Sequence, residues 1–289
     1  MLLLALTFVF SLLIGSFLNV VIFRFPKSMQ YDWTNDSISH LTETFSELKE
    51  TLNKYSVQER PPSIIWARSN CQNCNHQIKA WENIPVLGFV FLRGKCSNCK
   101  TKISNRYWLV ELLTAILSTV VVYHFGWSLA SLFGVILTWF LISIALIDFD
   151  TMVIPDQFSL SLMWLGLFIS LWTVFIETNT SIKGALLGYL ILWSIFHIFK
   201  LLTGKDGMGY GDFKLLAAGG AWFGMQSVVV IIIMSSFVGA ILGSLFILIN
   251  KNKKNKQIPF GPYLAVGIWT TMLYGQNIID WYLKYSGLQ

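Results

Sequence analysis

Long apolar runs separated by short polar connections are the main pattern of this chain. A helix needs about twenty apolar residues to cross the hydrocarbon core of a bilayer. Seven runs have about that length, and an eighth is shorter and rich in alanine and glycine. The seven cover residues 2–23, 107–125, 128–147, 158–176, 182–202, 228–249 and 262–281, and the short run covers residues 213–223. The pattern therefore predicts an all-α polytopic membrane protein with about eight transmembrane helices, a re-entrant short run being the alternative.

The placement of lysine and arginine predicts the orientation of these helices. With eight spans, the polar segments 24–106, 148–156, 203–212 and 251–257 lie on one side of the membrane, and the connections opposite contain no lysine or arginine. Basic loops stay in the cytoplasm. Seven spans would put the lysine cluster at 251–256 on the wrong side. We therefore expect both chain ends outside and the polar segments in the cytoplasm.

Composition supports a protein in contact with lipid. Charged residues make up 12% of the chain, against roughly a quarter in soluble domains. The formal net charge of +6 is modest, and in a membrane protein it is explained by basic cytoplasmic loops better than by a nucleic-acid partner. The expected partner is the lipid bilayer, and no nucleic acid is expected.

All four cysteines lie in the one long polar segment. The predicted organisation is a first transmembrane helix at 1–23, a cytoplasmic module at 24–106 and a transmembrane core at 107–289. The cysteines form two Cys-x-x-Cys pairs separated by 21 residues, slightly more than the usual range of about 15–20 for zinc ribbons. Four thiolates close a tetrahedral site and leave no position for catalysis. We predict a structural Zn²⁺ bound by Cys71, Cys74, Cys96 and Cys99.

A redox Cys-x-x-Cys pair is the alternative interpretation of these cysteines. Such a pair normally occurs beside a βαβ unit, which this segment lacks. A neighbouring histidine, His76, could replace one ligand, although the four sulfur atoms already complete the set.

Two acidic clusters stand where apolar runs meet the cytoplasm, at 146–156 and 207–214. Ionisable groups beside hydrocarbon are costly and indicate function. Two close carboxyl groups share a proton, so that one acts as a base on water while the other polarises a peptide carbonyl. Asp148 and Asp150 are the two candidate partners of Asp212. Residues two apart on a helix do not share a face, so at most one of them should point at Asp212. The residues alone leave that choice about even.

Residues 209–214, Gly-Tyr-Gly-Asp-Phe-Lys, resemble the signature of Gly-x-Gly-Asp membrane aspartic peptidases. Together with the cysteine module, the chain resembles the bacterial type IV prepilin peptidases. The resemblance continues at 15–24, 80–85, 93–96, 103–107, 110–112 and 259–262. It implies that Asp148 and Asp212 are catalytic. It also implies an inner-membrane enzyme facing the cytoplasm, whose substrates are prepilins or pseudopilins with a basic leader that is cleaved after a glycine.

The same resemblance implies a second activity, methylation of the new N-terminal amine with S-adenosylmethionine as donor. The sequence contains no glycine-rich nucleotide fingerprint that would place the donor. The candidates are Gly94 and Lys95, in a basic turn before Cys96. An ordinary hairpin turn with a solvated lysine is the alternative.

Three other functions are alternatives to this one. The first is a prepilin-type peptidase without methyltransferase activity. The second is a transporter, which would need ionisable residues near the midplane of several spans, where only Glu111 and Asn19 are candidates and both lie near a cytoplasmic end. The third is a zinc-ribbon interaction protein with an inert anchor, which would need neither eight spans nor the motif at 209–214.

Overall fold

A computed structural model describes residues 1–45, 47, 51–52, 54–55, 59–249 and 258–287 of the chain. Apart from two isolated β-bridges, the regular structure of these residues is helical. The all-α fold expected from the apolar pattern is therefore confirmed. The lysine cluster at 251–256 lies outside the described residues.

The helices follow the predicted runs closely in the second half of the chain. They are α1 (Leu2–Thr44), a 3₁₀ turn (Ala80–Asn83), α2 (Leu87–Phe91), α3 (Arg106–Phe125), α4 (Leu129–Thr151), α5 (Asp156–Ser170), α6 (Thr178–Thr203), α7 (Tyr210–Phe223), α8 (Met225–Ile249) and α9 (Gly261–Tyr285).

Five of the described helices are long and apolar enough to cross a membrane. They are α1, α3, α4, α6 and the Met225–Leu245 part of α8. The runs predicted at 158–176, 213–223 and 262–281 form α5, α7 and α9, which do not meet both conditions. With 15 residues, α5 is about 22 Å long, less than the hydrocarbon thickness of about 30 Å. The count of eight spans stays a prediction.

The first helix is longer than the apolar run that predicted it. Helix α1 does not end at residue 23 but continues to Thr44, with Pro26 inside it. Backbone hydrogen bonds within a helix do not depend on side-chain polarity, so a fall in hydropathy marks the edge of the apolar run and not the end of the helix. Just past that edge, the ammonium of Lys27 lies 3.6 Å from the centre of the Phe23 ring.

The chain forms two compact units, Ala5–Ile116 and Met1–Leu4 with Leu117–Gln289. They are called the amino-terminal and the carboxy-terminal unit below. In the carboxy-terminal unit, α7 packs against α5, α6, α8 and α9, and most of its residues are buried. The sequence predicted a short buried helix at this place, and its burial is confirmed.

Glycines allow α7 to approach its neighbours closely. A Cβ atom added at Gly220 would overlap the carbonyl oxygen of Gly184 on α6, and one at Gly188 would lie 2.7 Å from the Leu216 carbonyl oxygen. Small residues are the usual means of such close helix packing in membranes. Two buried hydrogen bonds then attach α7: Ser181 Oγ donates to the Ala221 carbonyl at 2.5 Å, and Trp222 Nε1 donates to a carbonyl of α5 at 2.8 Å.

We predict that Gly220→Ala destabilises the protein, because the new methyl group would meet the backbone of α6, which cannot move aside as a side chain can. Overpacking of this kind costs about 1–3 kcal/mol or more. The measurement is the Tm of the purified protein in detergent. Gly243→Ala on α8 is the control, since among the described residues its Cβ atom would have one neighbour, 3.7 Å away. Equal Tm values for the two variants would contradict the packing described here.

Candidate active site and cysteine cluster

Two buried aspartates lie at opposite helix ends of the carboxy-terminal unit. Asp148 is in the last turn of α4, and Asp212 is in the first turn of α7. Their exposed fractions are 5% and 7%. The charge of Asp148 acts on Asp212, so the two carboxyl groups lie within electrostatic reach of each other. The fold therefore brings together the two residues that the sequence singled out.

The Asp148 carboxylate is oriented by the beginning of α9. The backbone N–H of Gly261 donates to Asp148 Oδ2 at 3.0 Å. A Cβ atom on Gly261 would lie 2.6 Å from that same oxygen, so only glycine permits this approach. Apart from its membership of a motif at 259–262, no local pattern predicts that this glycine lies beside Asp148.

Ile154 contacts both parts of the site, the beginning of α7 and the beginning of α9. A Cβ atom added at Gly211 would lie 2.7 Å from Ile154 Cβ, and one added at Gly261 would lie 2.9 Å from Ile154 Cδ1. One isoleucine therefore packs against the residue before Asp212 and the residue that hydrogen-bonds Asp148. This shared contact fixes the start of α7 beside the start of α9.

One oxygen atom of Asp212 makes no hydrogen bond to the described residues. Its Oδ1 is buried and has no hydrogen-bond partner within the described part of the chain. Buried polar atoms normally have a partner, so this oxygen is free to receive a water molecule or a substrate group. A carboxyl pair with one anchored member and one open oxygen has what general acid–base catalysis on a peptide bond requires.

The other acidic residues of the two clusters lie differently. Asp150 is exposed, whereas Asp148 is buried. Asp156 opens α5 and forms an ion pair with Lys214 of α7, whose Nζ lies 2.6 and 2.7 Å from the two carboxylate oxygens. This pair links two helices near Asp212, and sequence reasoning missed it. The partner of a surface carboxylate 58 residues away cannot be read from local pattern.

The four cysteines of the amino-terminal unit lie in one cluster. Their sulfur atoms are all within 4.8 Å of one another. The Cys71–Cys99 and Cys74–Cys96 sulfur pairs are 3.8 and 4.0 Å apart. Ligands about 2.3 Å from a tetrahedral ion are about 3.8 Å apart, whereas a disulfide needs about 2.0 Å. The cluster therefore fits a metal ion, and the cysteines are not disulfide-bonded.

Two similar turns build this cluster. Each begins at the first cysteine of a pair and is closed by an isolated bridge, Asn70 with Gln77 in one and Lys95 with Lys102 in the other. The side-chain and backbone hydrogen bonds of Thr101 lower the pKa of Cys99 to about 5. In the first turn, the backbone N–H groups of Asn73 and Cys74 lower the pKa of Cys71. Both effects favour the thiolates that a cation requires. At Cys74 the backbone N–H of His76 acts in the same direction, but burial and the neighbouring Cys99 and Cys71 thiols raise its pKa to about 11.

The two candidates for the methyl-transfer site lie in the second turn. Gly94 has a φ of +66° and its Cβ position would lie 2.9 Å from the Phe89 ring, so a glycine is required there. Lys95 is exposed. Their predicted role in methylation stays a prediction.

Long apolar helices and a buried pair of interacting aspartates define this chain as an integral membrane protein that carries the groups of an aspartic peptidase. It belongs to the type IV leader peptidase family, which matches residues 135–244, and the Bacterial Peptidase A24 N-terminal domain matches residues 9–125. The family that the motifs suggested is thereby confirmed, and the membrane is the bacterial inner membrane.

Curated relatives match nearly the whole chain. A prepilin leader peptidase/N-methyltransferase from Aeromonas hydrophila is 46% identical over 96% of this chain and 93% of its own length. Proteins of the same name from Stutzerimonas stutzeri and Pseudomonas aeruginosa are 45% and 43% identical, over 97% and 98% of this chain and 93% and 94% of their own lengths. No solved structure matches this chain.

We predict that the purified protein carries one divalent metal ion per chain, because four thiolates at these separations leave a tetrahedral site. Cys71→Ser and Cys99→Ser should each lower the metal content measured by elemental mass spectrometry. His76→Gln is the matched control, since His76 lies outside the sulfur cluster and should leave the content unchanged. Wild-type protein without metal and with a Cys71–Cys74 disulfide would instead support a redox pair.

Proposed function

We propose that this protein is an aspartic endopeptidase of the inner membrane that removes the basic leader from prepilin-like proteins and then methylates the new N-terminal amine. The relatives that match over nearly the full length carry both activities in their names. The observation that carries the proposal within this chain is the burial of Asp148 and Asp212 at two neighbouring helix ends, within electrostatic reach of each other.

The proposed cleavage uses the two carboxyl groups as an acid–base pair. One of them accepts a proton from a water molecule, which attacks the peptide carbonyl, and the other donates a proton to the carbonyl oxygen. Asp148 is held in place by the Gly261 N–H, so its position does not depend on the substrate. Asp212 offers the open Oδ1. The tetrahedral intermediate then collapses, and the proton returns to the leaving amine.

The position of the aspartates supports a substrate that is cut at the membrane edge. Prepilins and pseudopilins, the proposed substrates, join a polar basic leader to an apolar helix. Asp148 ends a long apolar helix, and Asp212 begins a buried one. A bond at the junction of leader and helix would lie at that depth.

The proposed cofactors differ in their role. Zn²⁺ suits a site of four thiolates, and a closed set of ligands gives it a structural role. It would be bound by the four cysteines of the cluster and would stabilise the turns that carry them. S-adenosylmethionine is the proposed methyl donor, a polar cytoplasmic molecule, which supports a cytoplasmic location of the polar segment 24–106.

We expect Asp148→Asn and Asp212→Asn each to abolish leader cleavage, because neither amide can exchange a proton with water or with the peptide. The measurement is the mobility shift of a prepilin incubated with membranes that contain the variant at wild-type amount. Asp150→Asn is the matched control and should retain most of the activity, since Asp150 is exposed two residues away. Full activity in Asp148→Asn with loss in Asp150→Asn would show that the other acid is catalytic.

The proposed orientation predicts the outcome of reporter fusions. A reporter placed after Lys256 should report the cytoplasm, because lysines flank it, and reporters after Thr180 or Gln289 should report the outside. The measurement is the activity of an enzyme that folds only on one side of the membrane. If the fusion at Gln289 is cytoplasmic, residues 213–223 do not span, and α7 is a re-entrant segment.

A further inference from the structure

A cavity of about 660 Å³ lies within the amino-terminal unit. Its walls come from α1, the beginning of α3 and the two cysteine turns. Pockets for small molecules commonly measure about 300–1,000 Å³. The proposed cleavage does not use this cavity, since both aspartates belong to the other unit.

Glu111 of α3 is one of two buried carboxylates in this cavity among the described residues, with an exposed fraction of 8%. Its Oε2 accepts a hydrogen bond from the backbone N–H of Val86 at 2.8 Å. On the other side, Gly15 of α1 packs against its backbone, where a Cβ atom would lie 2.7 Å from Glu111 Cα. The Val86 N–H therefore orients the carboxylate, and the contact with Gly15 places the backbone of Glu111 close to α1.

The partner of Glu111 is held in a strained conformation. Val86 has a φ of 60° and a ψ of −50°, a region that a β-branched residue rarely enters. Such strain costs about 1–3 kcal/mol and is found where function requires a fixed geometry. The hydrogen bond from Val86 to Glu111 stabilises this conformation.

A second buried carboxylate, Glu82, lines the same cavity with an exposed fraction of 8%. Its hydrogen bonds with the Ser97 side chain and the Lys79 N–H lower the pKa of Glu82, so it is ionised at neutral pH. The guanidinium of Arg24, also on the wall, is committed to carbonyl oxygens of a loop: it donates to Ser63 and Ala67 at 2.6 and 2.8 Å. Glu82 also has the imidazole of His76 3.7 Å from its Oε2, so Glu111 is the carboxylate of this wall that we expect a cationic ligand to meet.

Aromatic rings complete the wall and supply one open donor. Phe23, Phe89, Tyr107 and Trp108 line the cavity. The indole Nε1 of Trp108 is buried and has no hydrogen-bond partner within the described residues. Because a buried N–H normally finds an acceptor, this donor points to a ligand with acceptor atoms. Aromatic faces also attract cations and stack on planar rings.

We propose that this cavity binds the methyl donor, with Glu111 facing its cationic sulfonium and amino-acid end and Trp108 donating to an acceptor on its opposite end. The inference rests on the proposed second activity. S-adenosylmethionine combines a sulfonium, an ammonium, a carboxylate and an aromatic base, and the cavity combines buried carboxylates, an open N–H and aromatic rings. In the transfer, the lone pair of the neutral amine bonds to the methyl carbon, the carbon–sulfur bond breaks with its electrons on sulfur, and the new ammonium releases a proton to water.

The test measures binding of tritiated S-adenosylmethionine to the full chain in detergent, together with the mass of a cleaved prepilin. Glu111→Gln removes the charge but keeps a carbonyl oxygen that can accept from Val86. We expect it to weaken binding about tenfold or more, because hydrogen bonds to charged groups are strong, and to leave product unmethylated at low donor concentration. Trp108→Phe should weaken binding several-fold. Glu43→Gln, at an exposed position of α1, is the matched charge control and should bind like the wild type.

Three results would overturn the inference. The first is wild-type affinity in Glu111→Gln. The second applies if Glu111→Gln proves misfolded by its Tm and elution profile: unchanged affinity in a folded Trp108→Phe then decides against the cavity. The third is a wild-type chain that cleaves but neither binds the donor nor methylates, and this result alone refutes the proposed methyltransferase activity as well.

Discussion

The carboxy-terminal unit depends on one constraint, that a 14-residue helix carrying an aspartate is buried among other helices. Helix α7 can occupy this place because the residues it turns toward α5, α6, α8 and α9 are mostly small or apolar. Glycines at the crossing with α6 let the two backbones meet, and two hydrogen bonds from side chains to backbone attach it to its neighbours. Association of helices in lipid relies on such close packing, since lipid is as apolar as leucine.

Burial of two carboxyl groups lowers the stability of the folded protein, and hydrogen bonds offset this cost only in part. A carboxylate removed from water requires hydrogen bonds or an opposite charge. Asp148 receives one N–H, from Gly261, whereas Asp212 keeps an oxygen that has no hydrogen-bond partner in the described part of the chain. An arrangement that maximised stability would have supplied a partner for both. The incomplete satisfaction of the pair is consistent with groups kept available for a substrate peptide and a water molecule.

The cysteine turns of the amino-terminal unit require a different kind of stabilisation. They contain few apolar residues, so a core of the usual kind does not hold them together. The four thiols gather within 4.8 Å, and a bound ion there would replace such a core. Close by in the same unit, Glu111 and the strained Val86 form a contact that local sequence preferences oppose. Residues that break a local rule in this way commonly mark function rather than stability.

The sequence by itself determined the helical class, the set of four cysteines and the two acidic clusters, because each of these is a local pattern of polarity or spacing. Only the tertiary structure decided which acid beside Phe149 is buried, how far α1 extends past residue 23, and which backbone groups hold Asp148 and Glu111. The Asp148–Gly261 hydrogen bond joins residues 113 positions apart along the chain. The Glu111–Val86 hydrogen bond joins residues 25 positions apart, on two different helices or their ends. Such pairings depend on how helices pack against one another, and hydropathy along the chain contains no record of that packing.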